Sequence, residues 1–318
     1  MLKRKKHFYC YMHLMGGLGN QLFQLAAGLH HSVNHGCTLV LDESSESIRR
    51  NDLGHADVLS YQSSKYLNTR IQSWYKIFVR KFMNKIIWLS LRSSLNKLNS
   101  CFIFLCICIQ SIIISTHFKK IIKVWSARQI GYEPIKLSSH SNYLIGYFQT
   151  YKYASEPYVN SVLRALTDPH KSIDSYKNLC RIEKPLIVHI RLGDYTNEPD
   201  FGIISKDYYS KSISIMMQQY SYISIHVFSD DIETAKSYIP KKYLSICRWM
   251  DGQGESSITT LEKMRCGSAY IIGNSTFSWW SAFLSHSVNP PTIAPVPWFA
   301  GKNEPNELIP PEWIRIQR

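Results

Sequence analysis

Three clusters of polar side chains, each placed just past a short apolar run, are the residues of this chain best suited to chemistry. His189-Ile190-Arg191-Leu192-Gly193-Asp194-Tyr195 follows Pro185-Leu186-Ile187-Val188, which reads as a buried strand. Arg191 and Asp194 then lie at the strand's carboxyl end, where open α/β sheets keep their ligand sites, and the place suits a phosphate-bearing substrate. The plainer alternative is a structural ion pair in which Asp194 only orients Arg191. Ala269-Tyr270-Ile271-Ile272-Gly273 reads as a second strand, and Asn274-Ser275-Thr276-Phe277-Ser278-Trp279-Trp280 turns from it into an apolar helix. Free N–H groups and the helix dipole attract an anion there, so Ser275, Thr276 and Ser278 could hold a pyrophosphate together with Arg191. Ordinary helix capping would explain the same residues. Ile223-Ser224-Ile225-His226-Val227-Phe228 is a third strand, ending at Ser229-Asp230-Asp231. A carboxylate there could accept hydrogen bonds from ribose hydroxyls or a guanine edge, or could cap the helix expected from Ile232.

These clusters need parallel strands that end on one side of a sheet, and the rest of the chain supplies the same pattern. Phe8 to Met15 reads as a strand, Gly16 to Gly19 as a tight turn, and Asn20 to His35 as a helix with apolar Leu22, Phe23, Leu25, Ala26 and Leu29. Asn20 could cap that helix. Thr38 to Leu41 would be a second parallel strand ending at Asp42, and Tyr153 to Leu166 a helix broken by Thr167-Asp168-Pro169-His170. The fold class is therefore α/β, with an N-terminal domain over 1–175 and a C-terminal domain over 176–318. Gly17-Leu18-Gly19, with Asp42 about 20 residues on, imitates a dinucleotide fingerprint, which keeps an NAD(P)- or flavin-dependent oxidoreductase in view. Leu22, where that fingerprint wants a small residue, argues against it.

The segments His189 to Tyr195, Phe228 to Ile232 and Asn274 to Leu284, with Gly16-Gly17-Leu18-Gly19-Asn20-Gln21 near the start, resemble the bacterial α-1,2-fucosyltransferases of glycosyltransferase family 11. Gly146-Tyr147-Phe148-Gln149-Thr150 is similar to that family's Gly-Tyr-Trp-Gln-Ser segment. The resemblance implies a GT-B-like fold, two Rossmann-like domains facing across a cleft. It implies a C-terminal domain that binds GDP-fucose through His189, Arg191, Asp230, Asp231, Asn274, Ser275, Thr276 and Ser278. Gly17, Asn20, Gln21, Tyr147 and Gln149 would lie on the acceptor side, with Asn20 helping to align the reactants. Transfer in this family goes with inversion, so a base must take the acceptor hydroxyl's proton; Asp194, Glu198 and Asp200 are the candidates. Arg191 would stabilise the departing diphosphate. The chain has no Asp-x-Asp motif of the kind that holds a metal against a diphosphate, so no metal or other cofactor is expected. It departs from the family at Leu192, where a second Arg is usual, at Thr260, where Asp is usual, and at Tyr151, which replaces an acidic residue.

Composition sets the surroundings. The eight cysteines include no Cys-x-x-Cys pair and no zinc-ligand spacing, so they read as reduced thiols of a cytosolic protein. Lys3 to Lys6 are followed by His7, His13 and the glycine turn, and no signal-peptide core forms. Net charge is +14, and no Asp or Glu occurs from Val58 through Tyr132. Trp74, Ile77, Phe78, Phe82, Ile86, Ile87, Trp88 and Leu89 are spaced among the lysines and arginines of that span, as in a basic amphipathic surface helix. A helical insertion over about 58–132 is expected. Cys101 to Ile114 is apolar but falls short of the roughly 20 residues that span a bilayer. The aliphatic character of the basic stretch favours anionic lipid over nucleic acid. The reading is thus a fucosyltransferase acting on an oligosaccharide, such as a lipid-linked one in O-antigen synthesis, and peripheral on the cytoplasmic face of a membrane. A non-catalytic glycan- or lipid-binding protein is the third class.

Overall fold

The computed structural model describes residues 8–42, 67–71, 108–109, 112, 122–126, 131–135, 141–166, 173–193, 200–220, 222, 224–252, 254–305 and 307–318. The chain divides into two compact units, Met1–Leu166 and Thr167–Arg318, each built on one parallel sheet.

In the first unit β1 (Tyr9–His13), β2 (Thr38–Asp42), β3 (Leu67–Ile71), β4 (Ile122–Ser126) and β5 (Ser141–Ile145) lie in the order β3-β2-β1-β5-β4. All pairings are parallel. The order reverses beside β1, so a crevice opens between the carboxyl ends of β1 and β5. Helix α1 (Leu18–His35) returns the chain from β1 to β2. Its N-cap is Gly17, which has no side chain to cap with, and Asn20 lies inside the first turn instead of capping. A Cβ on Gly28 would come within 2.7 Å of Leu39 Cδ1 and 3.5 Å of Met12 Cβ. Close helix-to-strand packing is therefore made at Gly28, while Leu22 fills the buried core. Gly36 ends the helix in the left-handed region at φ 61, a conformation glycine adopts without steric cost.

Two sequence-based expectations are corrected in this unit. The helix expected over Tyr153 to Leu166 is two, α2 (Tyr151–Ala154) and α3 (Pro157–Leu166). Pro157 cannot donate to a preceding turn, and the Glu156 carboxylate accepts from the Val159 N–H at 2.8 Å, so a new helix starts there. The stretch 58–132, expected as a helical insertion, contributes β3 and β4, the edge strands of the sheet. Five residues make too short a pattern to stand out beside the helix-like spacing that follows them. Cys108, Ile109 and Ile112 are helical; Trp74 to Leu89 lie outside the described residues. Among the described residues no helix is long and apolar enough to cross a membrane.

The second unit runs α4 (Asp174–Glu183), β6 (Leu186–Ile190), α5 (Lys206–Gln219), β7 (Ile225–Ser229), α6 (Ile232–Lys236), a 3-10 turn (Lys241–Ile246), β8 (Cys247–Met250), α7 (Ser257–Arg265), β9 (Ala269–Ile271), α8 (Thr276–Phe283), β10 (Thr292–Val296) and β11 (Ile314–Gln317). The parallel order β11-β10-β9-β6-β7-β8, counted from β6 as first strand, is that of doubly wound dinucleotide-binding sheets, with its switch point between β6 and β9. Every residue of β6, β7 and β9 is buried, as expected of parallel strands covered on both faces. Their Leu186, Val188, Ile190, Ile225, Val227 and Ile271 join Tyr208, Ile213 and Met216 of α5 in one core. Each fully buried aliphatic side chain stabilises by about 1.5–3 kcal/mol.

Candidate active site

β6 and β9 are neighbours in register, Leu186 against Ala269 and Val188 against Ile271, so the segments leaving their carboxyl ends start side by side. The ring of His189, near the end of β6, and that of Phe277, in α8 after β9, have centroids 6.3 Å apart. This edge gathers most of the donor-side residues expected from sequence.

Asp230, past the end of β7, holds the segment after β6. Its Oδ1 accepts from the Leu192 N–H at 2.9 Å, and its Oδ2 from the Gly193 N–H at 2.9 Å. The Arg191 Nε lies 3.3 Å from the same Oδ2, with the guanidinium side chain 35% exposed. Arg191 is thus oriented by Asp230, and both Asp194 and Glu198 lie outside the described residues. A Cβ on Gly193 would sit 2.6 Å from Asp230 Oδ2, so the clamp needs glycine there. Leu192 turns inward and is buried in the core. Asp231 is the N-cap of α6, its carboxylate accepting from the Thr234 N–H at 3.0 Å. A hydrogen bond from the Thr234 hydroxyl, and then the one from its N–H, hold the Asp231 carboxyl below the usual carboxylate range.

His189 is buried in β6, and its Nδ1 has no hydrogen-bond partner among the described residues. Burial, and then the Arg191 cation, pull its imidazole down to about 4 against the opposing pull of Asp230. The ring is therefore neutral at pH 7, and the positive charge at this edge is Arg191's own.

Ser275 is the N-cap of α8, its hydroxyl accepting from the Phe277 N–H at 3.3 Å. Ser278 is fully buried and donates to the Ser275 carbonyl at 3.0 Å, so its hydroxyl belongs to the helix. Thr276 is half-buried at the first turn. Asn274 donates to the Phe201 and Gly202 carbonyls at 2.9 and 3.1 Å, tying this segment to the turn that carries Asp200. Asp200 itself is exposed, and its carbonyl accepts from the Ala300 and Gly301 N–H groups. The segment before the helix is thus tied to a neighbouring turn, and Arg191 follows the adjacent strand, so this sheet edge combines a cation with a helix start and can hold an anion.

The first unit carries a different chemistry at its own switch point. The turn after β1 has Gly16 at φ +76, where a Cβ would meet Asn20 Nδ2 at 2.6 Å. Gln21 Nε2 donates to the Gly16 carbonyl at 2.8 Å, and Gln24 Oε1 accepts from the Met15 N–H at 2.9 Å. Gln149, in the segment after β5, donates from Nε2 to Asn20 Oδ1 at 2.9 Å. Phe148 beside it has φ 50, a backbone conformation that costs a bulky residue strain. Tyr147 is half-buried in the same segment, and Gly17 is the α1 cap. Asn20, Gln21, Gln24 and Gln149 therefore gather neutral amides around one glycine turn, suited to hydroxyl-rich ligands more than to a diphosphate.

Gly28, Gln24, Gly273 and Tyr209 were not singled out from sequence. A glycine inside a helix and a glutamine one turn after Asn20 were the available signals for the first two. A Cβ on Gly273 would meet Tyr209 Oη at 2.9 Å. Among the described residues no group of three or more His, Cys, Asp or Glu side chains is arranged to hold a metal.

Glycosyl transferase family 11 matches residues 10–317. An alpha-1,2-colitosyltransferase of Escherichia coli is 27% identical over 314 residues, 96% of this chain and 98% of that one. The O-antigen biosynthesis glycosyltransferase WbnK of Escherichia coli is 32% identical over 150 residues, 44% of this chain and 47% of that one. Of solved structures, the fucosyltransferase NodZ from Bradyrhizobium aligns with a TM-score of 0.47 at 12% identity, over 88% of this chain and 94% of that one.

Proposed function

The chain belongs to glycosyl transferase family 11, and from that membership we propose an inverting, metal-independent α-1,2-fucosyltransferase that uses GDP-fucose. Its acceptor is a terminal galactose or N-acetylgalactosamine of an O-antigen or other surface glycan. The observation that supports the donor half is Arg191, clamped by Asp230 at the carboxyl end of β6 beside the Ser275-capped start of α8. A fixed cation and a helix start meet the charge that develops on GDP as its bond to fucose breaks. The new bond forms from the acceptor's 2-hydroxyl oxygen to the sugar's anomeric carbon, and the proton passes to a carboxylate of the segment after β6, Asp194, Glu198 or Asp200. The amide cluster around Gly16 supports assigning the acceptor to the first unit.

The relative named for α-1,2-colitosyl transfer favours a second reading, the same transfer with a colitosyl group in place of fucosyl. The lysines and arginines between Val58 and Tyr132 support a peripheral site on an anionic cytoplasmic membrane face, near a lipid-linked acceptor. Reversing Lys76, Arg80 and Lys81 is then expected to weaken liposome binding while leaving turnover of a soluble acceptor in place.

GDP release, followed with GDP-fucose or the colitosyl donor and a panel of β-galactosides, tests the reading. Acceptor-dependent release that survives EDTA and collapses in Arg191→Ala is the expected result. Dependence on added Mn²⁺ would overturn the metal-independent mechanism, and absence of release and of GDP binding would overturn the donor assignment.

A further inference from the structure

The pairing of β6 with β9 stops at Val188 and Ile271, although the chain continues from each strand toward the proposed donor edge. Where two strands part, the backbone carbonyls beyond the last pair need other donors. Two consecutive tyrosines in the first turn of α5 provide them. The Tyr208 hydroxyl donates at 2.6 Å to the Ile272 carbonyl just past β9, and at 3.2 Å also to the β10 carbonyl of Ile293, which already accepts from the Ile272 N–H. The Tyr209 hydroxyl donates to the His189 carbonyl at 3.0 Å, one residue before the strand ends and two before Arg191.

Tyr209 also touches the other side of the opening. Its oxygen lies 2.9 Å from where a Cβ on Gly273 would stand, and the His189 carbonyl is 3.4 Å from that same point. One hydroxyl is thereby wedged between the segment that leads into Arg191 and the segment that leads into the Ser275 cap. The ring is only 1% exposed and packs edge-on against Tyr238, with centroids 5.7 Å apart, so the oxygen is held in place from behind. Burial pushes the Tyr209 phenol well above its usual range, so it stays protonated and remains a donor.

We infer that Tyr209 is a positioning residue for the donor site: its hydroxyl sets the separation between the Arg191 segment and the start of α8, and Gly273 is required because that hydroxyl occupies the space of a side chain. The inference builds on the proposed binding of GDP at this edge. Geometry of this kind acts on ligand affinity and turnover, since a shift of a few tenths of an ångström between two halves of an anion site weakens both sets of contacts at once.

The test uses the full chain with Tyr209→Phe, and with Tyr270→Phe as the comparison. The Tyr270 hydroxyl is equally buried but bonds Ser285 and Gly267, away from the Arg191 and Ser275 segments. Titration calorimetry with GDP is expected to show affinity falling about tenfold in Tyr209→Phe and staying within about twofold in Tyr270→Phe, while both variants lose thermal stability. A GDP affinity unchanged by Tyr209→Phe, or lowered equally by Tyr270→Phe, overturns the inference. A second readout needs no nucleotide. Gly273→Ala is expected to lower Tm by about 4 °C or more in the unaltered protein and by less than half as much in the Tyr209→Phe background, because the clashing atom is gone. Equal losses in the two backgrounds overturn the wedge whatever GDP does, whereas a strong coupling without any GDP binding retains it and discards the donor assignment alone.

Discussion

At the scale of single residues, the arrangement that matters most is one carboxylate serving three donors. Asp230 accepts from the Leu192 and Gly193 N–H groups and lies against the Arg191 guanidinium. Arg191→Ala is expected to reduce GDP release by at least about a hundredfold, the scale of losing one preorganised transition-state contact. Arg191→Lys should recover little of it, because a point charge cannot reproduce the guanidinium fork. Asp230→Asn keeps one acceptor oxygen and replaces the other with a donor facing an N–H, so turnover should fall with circular dichroism nearly unchanged. Gly193→Ala should behave likewise, since its Cβ would lie 2.6 Å from that carboxylate. On the first unit, Gln149→Ala frees the Asn20 amide. A raised acceptor KM with an unchanged GDP affinity is the expected signature, and a change in GDP affinity alone would place Gln149 with the donor instead. Arg191, Asp230 and Asn20 were legible as site candidates because strand ends announce themselves by composition, whereas Gln149 was reached only through the family resemblance of its segment. The pairing of Arg191 with Asp230 was not legible, because that carboxylate lies 39 residues away in sequence and only strand order puts β7 beside β6.

At the scale of elements, buried parallel strands were the easiest features to read, since a continuous apolar run that stops at Gly, Ser, Asn or Asp fits few local structures besides a strand and its turn. Ser275 illustrates how capping and ligand binding converge, for the hydroxyl that satisfies the Phe277 N–H also fixes where the helix starts. Ser275→Ala should cost about 1 kcal/mol of stability, measurable as a shift in the urea midpoint. A larger rise in GDP Kd than that stability loss implies would show that the cap is felt by the ligand as well. Edge strands were the hardest to read. β3 and β4 lie in a run of basic and apolar residues whose spacing favours a helix, and a strand of five residues offers only two alternations to argue with. The break between α2 and α3 was announced by Pro157, which the apolar spacing on both sides obscured.

At the scale of the whole molecule, the buried titratable groups act together on stability. Burial holds the His189 imidazole near 4, and burial with the neighbouring His35 and His30 does the same to His31. Hydrogen bonds from Arg248 hold the Glu183 carboxyl near 2. Each group binds its proton less readily folded than unfolded. The histidines therefore contribute stability that is complete above pH 6.5 and is lost as pH falls toward 4, and Glu183 adds loss between 4.5 and 2. Denaturant midpoints measured from pH 7 to pH 4 should fall steadily, by up to about 1.4 kcal/mol per pH unit for each histidine. Substituting His31 by Gln should flatten that slope, and an unchanged slope would show that other groups set it. The two units also divide the chemistry, with charge and a helix start at one switch point and neutral amides at the other.

The clamp on Arg191 carries a lesson for recombination. Residues 189–195 look like a self-contained cassette, portable between relatives to exchange donor preference. The carboxylate that shapes the cassette is encoded beyond α5, at position 230. A chimaera with a crossover inside α5 would inherit an arginine from one parent and its holder from the other. Only parents that share both Asp230 and a glycine at 193 would keep the guanidinium in register, so successful splices should fall after α6 or before β6, with few in between.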